Sequence, residues 1–182
     1  MPFDLQPVLE DARVRLSPLR VGDFDALYAV ASDPLIWEQH PNPDRYREDV
    51  FRTFFQGAIE SGGAFLVSDA HSHQLIGSSR YYELDESDGR VAIGYTFIAR
   101  RCWGGSYNRA MKTLMLDHAF GQLQRVIFHV GEHNRRSRIA MERLGAVYTG
   151  KAPIAYYGEV ARSNVIYAIE REAWRAAPKP GP

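Results

Sequence analysis

A basic, glycine-bearing stretch, Arg100-Arg101-Cys102-Trp103-Gly104-Gly105-Ser106, stands between a run that alternates like a strand and a run that recurs like a helix. Its residue types suit an anion. The first turn of a helix leaves backbone N–H groups without intrahelical partners, and the helix dipole adds positive potential there. Gly104 and Gly105 permit a sharp bend and close approach of a ligand to the backbone. Arg100 and Arg101 add full charge. Together these features point to a phosphate or diphosphate. The alternative is an ordinary turn with solvated arginines.

Proton transfer has fewer candidates. Glu83, His129 and Glu159 are candidate bases, and an unperturbed histidine titrates nearest neutrality. His129 and His133 are four apart but span a strand end, and His71 and His73 fall in a turn, so no metal site is expected. There is no Gly-x-Ser-x-Gly elbow and no Gly-x4-Gly-Lys-Ser/Thr loop, and Gly104-Gly105 does not fit the dinucleotide fingerprint.

The elements that must hold these residues follow from periodicity. Val91–Ala99 reads as a strand, with Ile93, Tyr95 and Phe97 opposite Ala92, Gly94 and Thr96. Ser106–Leu123 reads as a helix on the stripe Met111, Leu114, Met115, His118, Ala119. Arg125–Val130 is a strand, and Asn134–Leu144 a helix ended by Gly145. Upstream come a strand over Arg13–Leu19, a helix over Gly22–Ala31 capped by Gly22 or Asp23, and a helix over Asp44–Ser61 capped by Asp44. Ala64–Asp69 and Gln74–Leu84 are strands, the second presenting Ile76, Ser78, Arg80 and Tyr82 on one face. Ala146–Gly150 and Arg162–Glu170 close the series. The order β-α-α-β-β-β-α-β-α-β-β is mixed α/β (α+β) in one domain over residues 1–175, and the proline-bearing tail 176–182 is expected to be disordered.

Composition narrows the classes. Lys+Arg and Asp+Glu are both 22, a formal net charge of zero, which argues against an extended nucleic-acid partner. A single cysteine, Cys102, rules out an internal disulfide and suits a reducing compartment. No signal pattern appears and no apolar run approaches a membrane span, so a cytoplasmic protein without membrane association is expected.

The spacing carries a resemblance. Arg101-Cys-Trp-Gly104-Gly105-Ser106 resembles Arg/Gln-x-x-Gly-x-Gly/Ala, the pyrophosphate-binding signature of the GNAT acetyltransferase superfamily, departing at Ser106. About thirty residues on, Asn134-Arg-Arg-Ser137-Arg-Ile-Ala140-Met-Glu142-Arg-Leu-Gly145 is similar to the family's second signature. With Asn108, the likeness is nearest the Rim-type branch (ribosomal-protein N-acetyltransferase-like) and spans residues 12–175.

The resemblance implies a twisted, mostly antiparallel sheet of about seven strands with helices on both faces. Strands 91–99 and 125–130 would be a parallel pair at the centre, splaying apart. It implies acetyl-CoA as co-substrate. The diphosphate would sit on N–H groups of Trp103, Gly104, Gly105, Ser106, Tyr107 and Asn108, with Arg101 assisting and the Ser106 hydroxyl capping the helix or touching phosphate. The pantetheine would pair with the Tyr95–Ile98 edge, an N–H near Phe97 or Ile98 would face the thioester oxygen, and Asn134 would bond the arm. Asn134 also suits a helix cap. The reaction implied is direct transfer to a primary amine, on a small molecule or a protein N-terminus. The glutamate and tyrosine many members use fall at Ala92 and Met141. That leaves Ser137 as alternative acid and His129 or Glu83 as base, or else a non-catalytic acyl-CoA sensor. Tyr156-Tyr157-Gly158-Glu159 would lie near the acceptor. Many relatives form homodimers.

Overall fold

The computed structural model describes residues 1–178. One sheet runs in the order β1 (Leu9–Glu10), β2 (Val14–Pro18), β3 (Ala64–Asp69), β4 (Leu75–Asp85), β5 (Arg90–Ile98), β6 (Arg125–Gly131), β8 (Arg162–Glu170), β7 (Val147–Ile154). Every neighbouring pair is antiparallel except β5 and β6. The expected count of about seven becomes eight because Leu9–Glu10 adds two residues beside β2, too short a run to show a period.

Helices cover both faces. Against one face lie α3 (Tyr107–Ala119) and α4 (Arg135–Leu144), which bury Met111, Met115, Leu116 and Met141 against Val91, Ile93, Val126 and Phe128. Against the other lie α1 (Phe24–Ala31) and α2 (Glu48–Ser61), where Leu27, Phe51, Phe54, Phe55 and Trp37 surround Phe97. Each fully buried aromatic ring contributes roughly 2–3 kcal/mol by removal from water.

Several expected boundaries shift for local reasons. α2 begins at Glu48, not at Asp44, because Pro43–Tyr46 forms a separate 3-10 turn whose cap is Asn42. α3 stops at Ala119, and the chain turns tightly through Gly121 before Leu123. A last helix, α5 (Arg171–Ala176), takes up the first residue of the expected tail. Trp174 donates to Asp117 and Arg175 to the Phe120 carbonyl, long-range partners that local pattern does not reveal. Residues 179–182 lie outside the described residues.

The expected alternation along β5 also fails. Ser78 pairs with Phe97, but Arg80 pairs with Gly94, so Tyr95 and Thr96 oppose one β4 residue. This is a β-bulge, and Tyr95 takes φ +52. The extra residue flips the strand, so Ile93 faces α3 while Phe97 faces α2. Along β4, Ile76 faces α3 whereas Arg80 packs against Phe54 of α2, because the pairing shifts register opposite Val67 and Ser68. A second bulge sets Glu83 at φ +50.

Candidate active site

The turn before α3 is open. Gly104 has φ +70, a conformation that side chains disfavour, and open space lies where a Cβ would point. Ser106 occupies the N-cap position but makes no side-chain cap hydrogen bond, so the expected hydroxyl cap is not formed. Among the described residues the N–H groups of Tyr107, Asn108 and Arg109 have no partner.

β5 and β6 pair over only Arg90–Ala92 and Arg125–Ile127, then separate. A cavity of about 960 Å³ occupies the gap. At one end it is lined by Trp103, Gly104, Gly105, Ser106, Asn108 and Arg109, and along the strands by Phe97, Ile98 and Phe128. Asn134 and Ser137 line it from the start of α4, and His40, His129 and Tyr156 from the other end. Asn134 caps α4, its Oδ1 accepting the Ser137 N–H at 3.1 Å.

The mouth is clasped. The Trp103 indole donates to the Ile98 carbonyl at 3.0 Å. Its ring carries the Arg136 guanidinium at 3.8 Å, and the Arg136 N–H donates to Gln39 Oε1. A Cβ on Gly131 would lie 2.5 Å from Pro41, so only glycine lets β6 pass beneath this loop.

Other expected residues stand apart from the cavity. Arg100 ion-pairs with Asp33. Arg101 reaches Gln74 and the Leu75 carbonyl, and with Tyr107 lines a separate hollow of about 170 Å³. The Tyr107 hydroxyl donates to Asp69 at 2.6 Å. The arginines that do line the large cavity are Arg109, Arg135, Arg136 and Arg143. Glu83 is exposed at its bulge, outside the lining. Glu159 pairs with buried Arg45 at 2.7 Å.

On the α2 side the cavity lining is aromatic and basic. His129 Nδ1 lies 2.9 Å from the Tyr82 hydroxyl. Burial lowers the His129 pKa, with the Glu83 carboxylate opposing it. The Tyr156 hydroxyl donates to Asn164 Oδ1 at 2.7 Å, and the Tyr95 ring packs edge-on against Tyr82 and Tyr156. Arg45 donates to His40 Nε2 at 3.3 Å, since a guanidinium cannot accept. That leaves the proton of a neutral His40 on Nδ1, a buried atom without a partner. Burial and then Arg45 hold His40 well below its ordinary pKa.

Sequence reading missed His40 and Lys112. His40 had no periodic signal in a proline-bounded loop. Lys112 sits four residues before Leu116, on the edge of the α3 stripe, and that spacing was the available signal.

An open helix N-terminus beside a splayed parallel pair defines a protein built to take an anionic ligand with a long arm. The model of the acetyltransferase (GNAT) domain matches residues 13–147, and the chain belongs to that family. Acetyl-CoA is the co-substrate of such enzymes, and membership implies acetyl transfer to an amine. No curated protein matches significantly. Among solved structures, a putative acetyltransferase from T. thermophilus is 26% identical, with TM-score 0.75, covering 92% of this chain and 91% of that one. RimJ of Mycobacterium smegmatis, in complex with CoA-disulfide, is 20% identical with TM-score 0.68, covering 91% and 86%. Spermidine N-acetyltransferase from Vibrio cholerae, in complex with CoA and spermine, is 19% identical with TM-score 0.67, covering 91% and 99%. Among the described residues no helix is long and apolar enough to cross a membrane.

Proposed function

We propose that the protein, as a single domain over residues 1–175, transfers an acetyl group from acetyl-CoA to a primary amine by direct attack in a ternary complex. The acceptor is a small amine or a protein N-terminus, in the manner of the Rim-type branch, and the setting is the cytoplasm. The observation that carries this reading is the continuity of one cavity from the open turn at Gly104–Ser106, between the diverging strands, to His40, His129 and Tyr156. The polyamine bound in one similar structure, spermidine N-acetyltransferase with spermine, supports the substrate class.

The diphosphate rests on the free N–H groups of Tyr107, Asn108 and Arg109 and on the backbone of Gly104–Ser106, where the helix dipole favours negative charge. Arg109 and Arg143 supply the charge at this end, rather than Arg100 or Arg101. The pantetheine arm runs along the unpaired β6-facing edge of β5, and Asn134 keeps a side-chain N–H₂ free for it while its oxygen caps α4. The Ile98 carbonyl is already taken by Trp103, so the arm bonds the strand short of that point.

An attacking amine must lose a proton. His129 is the best base on this reading. When its Nδ1–H is donated to the Tyr82 oxygen, Nε2 has a free lone pair, and burial favours the neutral ring at pH 7. Ser137 lines the cavity from α4 as a weaker hydroxyl donor. Glu83 contributes its field at His129 rather than a contact with substrate.

A thiol-release assay with acetyl-CoA and an amine panel tests the reading. Thiol release that requires amine is expected. Tight acetyl-CoA binding with no turnover on any amine would instead favour a sensor, the reading that Ala92 and Met141 support.

A further inference from the structure

One titratable side chain faces the cavity from the α3 side and has no part in the steps above. Lys112 is 2% exposed and lines the cavity. Its Nζ donates to Thr96 Oγ1 at 2.6 Å and to Ser79 Oγ at 3.3 Å, and lies 5.9 Å from the Phe128 ring centroid. Among the described residues it forms no ion pair. An ammonium buried without a counter-charge is costly, and packing alone would be served by a methionine.

The groups facing Nζ are neutral. They are Ser79 on β4, Thr96 on β5 and Phe128 on β6. Of the titratable groups on the packed elements, Tyr81 of β4 gives its hydroxyl to the Met115 carbonyl, and Cys102 before α3 is a thiol that burial raises. Arg109 on α3 and Arg143 on α4 line the same cavity with exposed side chains. Arg80 of β4 and His129 of β6 make their contacts with Phe54 and Tyr82, away from Lys112.

Thr96 sits at the β5 bulge beside Phe97 and Ile98, the edge assigned above to the cofactor arm. The α3 side is also the side of the diphosphate-binding turn. The acceptor residues His129, Tyr82 and Tyr156 lie across the sheet. We infer that Lys112 is the proton donor to the departing thiolate of acetyl-CoA. The inference rests on the acetyl-transfer reading. In the step, the amine nitrogen bonds to the thioester carbonyl carbon and gives up one N–H proton to His129, and the C–S bond breaks with its electron pair on sulfur. The Lys112 ammonium gives its proton to that sulfur, releasing free thiol; the neutral Lys112 side chain then regains a proton from solvent and His129 loses its own to solvent.

The energetics suit the task. Burial lowers Lys112 from the ordinary lysine value to about 7. A cysteine thiol titrates at roughly 8.5 and an alkyl thiol without its flanking amides is a weaker acid still, so transfer from Lys112 to thiolate runs downhill. From an ordinary lysine it would run uphill.

The test is steady-state thiol release across pH, beside calorimetric titration of acetyl-CoA, for the wild type, Lys112→Met and Thr96→Val. In the wild type, kcat falls on the alkaline side as Lys112 loses its proton. Lys112→Met lowers kcat about 100-fold, removes that limb and leaves the Kd for acetyl-CoA unchanged within error. Thr96→Val removes an acceptor of the ammonium, favours the neutral amine and moves the limb to lower pH. An unchanged kcat and limb in Lys112→Met, or a loss of acetyl-CoA binding with kcat retained at saturation, overturns the inference. A limb unmoved in Thr96→Val does the same and keeps the matter decidable if Lys112→Met does not fold. A wild type inactive on every amine overturns the acetyl-transfer reading itself, and that result is visible before any variant is made.

Discussion

The two faces of the sheet at the splay are built on opposite electrostatic plans. On the α3 side one buried cation among the described residues, Lys112, is held by two hydroxyls with no counter-ion. On the α2 side Arg45, Arg80, His40 and His129 crowd together, yet aromatic faces and a carboxylate share the load. Arg45 pairs with Glu159 and lies 5.0 Å from the Phe54 ring centroid, and the Arg80 guanidinium sits 3.8 Å from the Tyr95 ring centroid. Cations over ring faces are stabilised where solvent is scarce. The contrast teaches that the α2 cations can be read as scaffold, whereas the α3 cation lacks a structural reason. The α3 side is also where the backbone offers positive potential, at the first turn of α3, beside Arg109 and Arg143.

Substitutions on each side sharpen that contrast, and the largest effect on ligand binding belongs to the turn. Gly104→Glu adds a carboxylate where the diphosphate is to sit and strains a φ of +70. Acetyl-CoA binding by calorimetry is expected to fall at least about 100-fold, on the order of 3 kcal/mol. Because the glycine faces open space, circular dichroism should show the fold retained. Next comes His129→Gln, across the sheet. It should lower kcat roughly 10- to 100-fold and remove the acid limb of the pH profile. Since burial lowers the His129 pKa, that limb lies below the ordinary histidine value, and activity is lost as pH falls through it.

The third effect is on stability and runs in the favourable direction. Lys112 is charged in both folded and unfolded chains below about pH 7, so its burial penalty is complete there. Between about 7 and the unfolded value of 10.5 only the unfolded chain keeps the proton, and the penalty declines as pH rises. A shift of that size corresponds to on the order of 5 kcal/mol. Lys112→Met should therefore raise the melting temperature most at pH 6 and least near pH 10. An equal gain at both pH values would show that the lysine is not buried as an unpaired cation. The smallest effect is Asn134→Ala, which removes the α4 cap and should cost about 1 kcal/mol by urea unfolding.

The diphosphate turn and the α4 cap were legible from sequence because their chemistry is local, whereas Lys112 was not, its partners Ser79 and Thr96 lying 33 and 16 positions away. The turn runs directly into α3, α4 follows one strand later, and Gly104, Asn134 and Gly145 each act within a few residues of themselves. The α2 side was not legible, because its partners are far apart in sequence. Arg45 meets Glu159 across 114 positions, and Tyr82 meets His129 across 47. The bulge at Tyr95 compounds this. A strict two-residue period places Ile93, Tyr95 and Phe97 together, whereas one extra residue sends Phe97 to the α2 side and Thr96 toward Lys112. Arg101 illustrates the limit of a motif. Its spacing fits the signature, yet in this chain its side chain turns to Gln74, away from the open N–H groups.

The most direct test is a crystal structure with acetyl-CoA bound. It should place the diphosphate on the N–H groups at the start of α3, thread the arm between β5 and β6, and set the sulfur beside Thr96 within hydrogen-bonding reach of Lys112 Nζ. A diphosphate held elsewhere, or an arm that bypasses the gap between the two strands, would contradict the account.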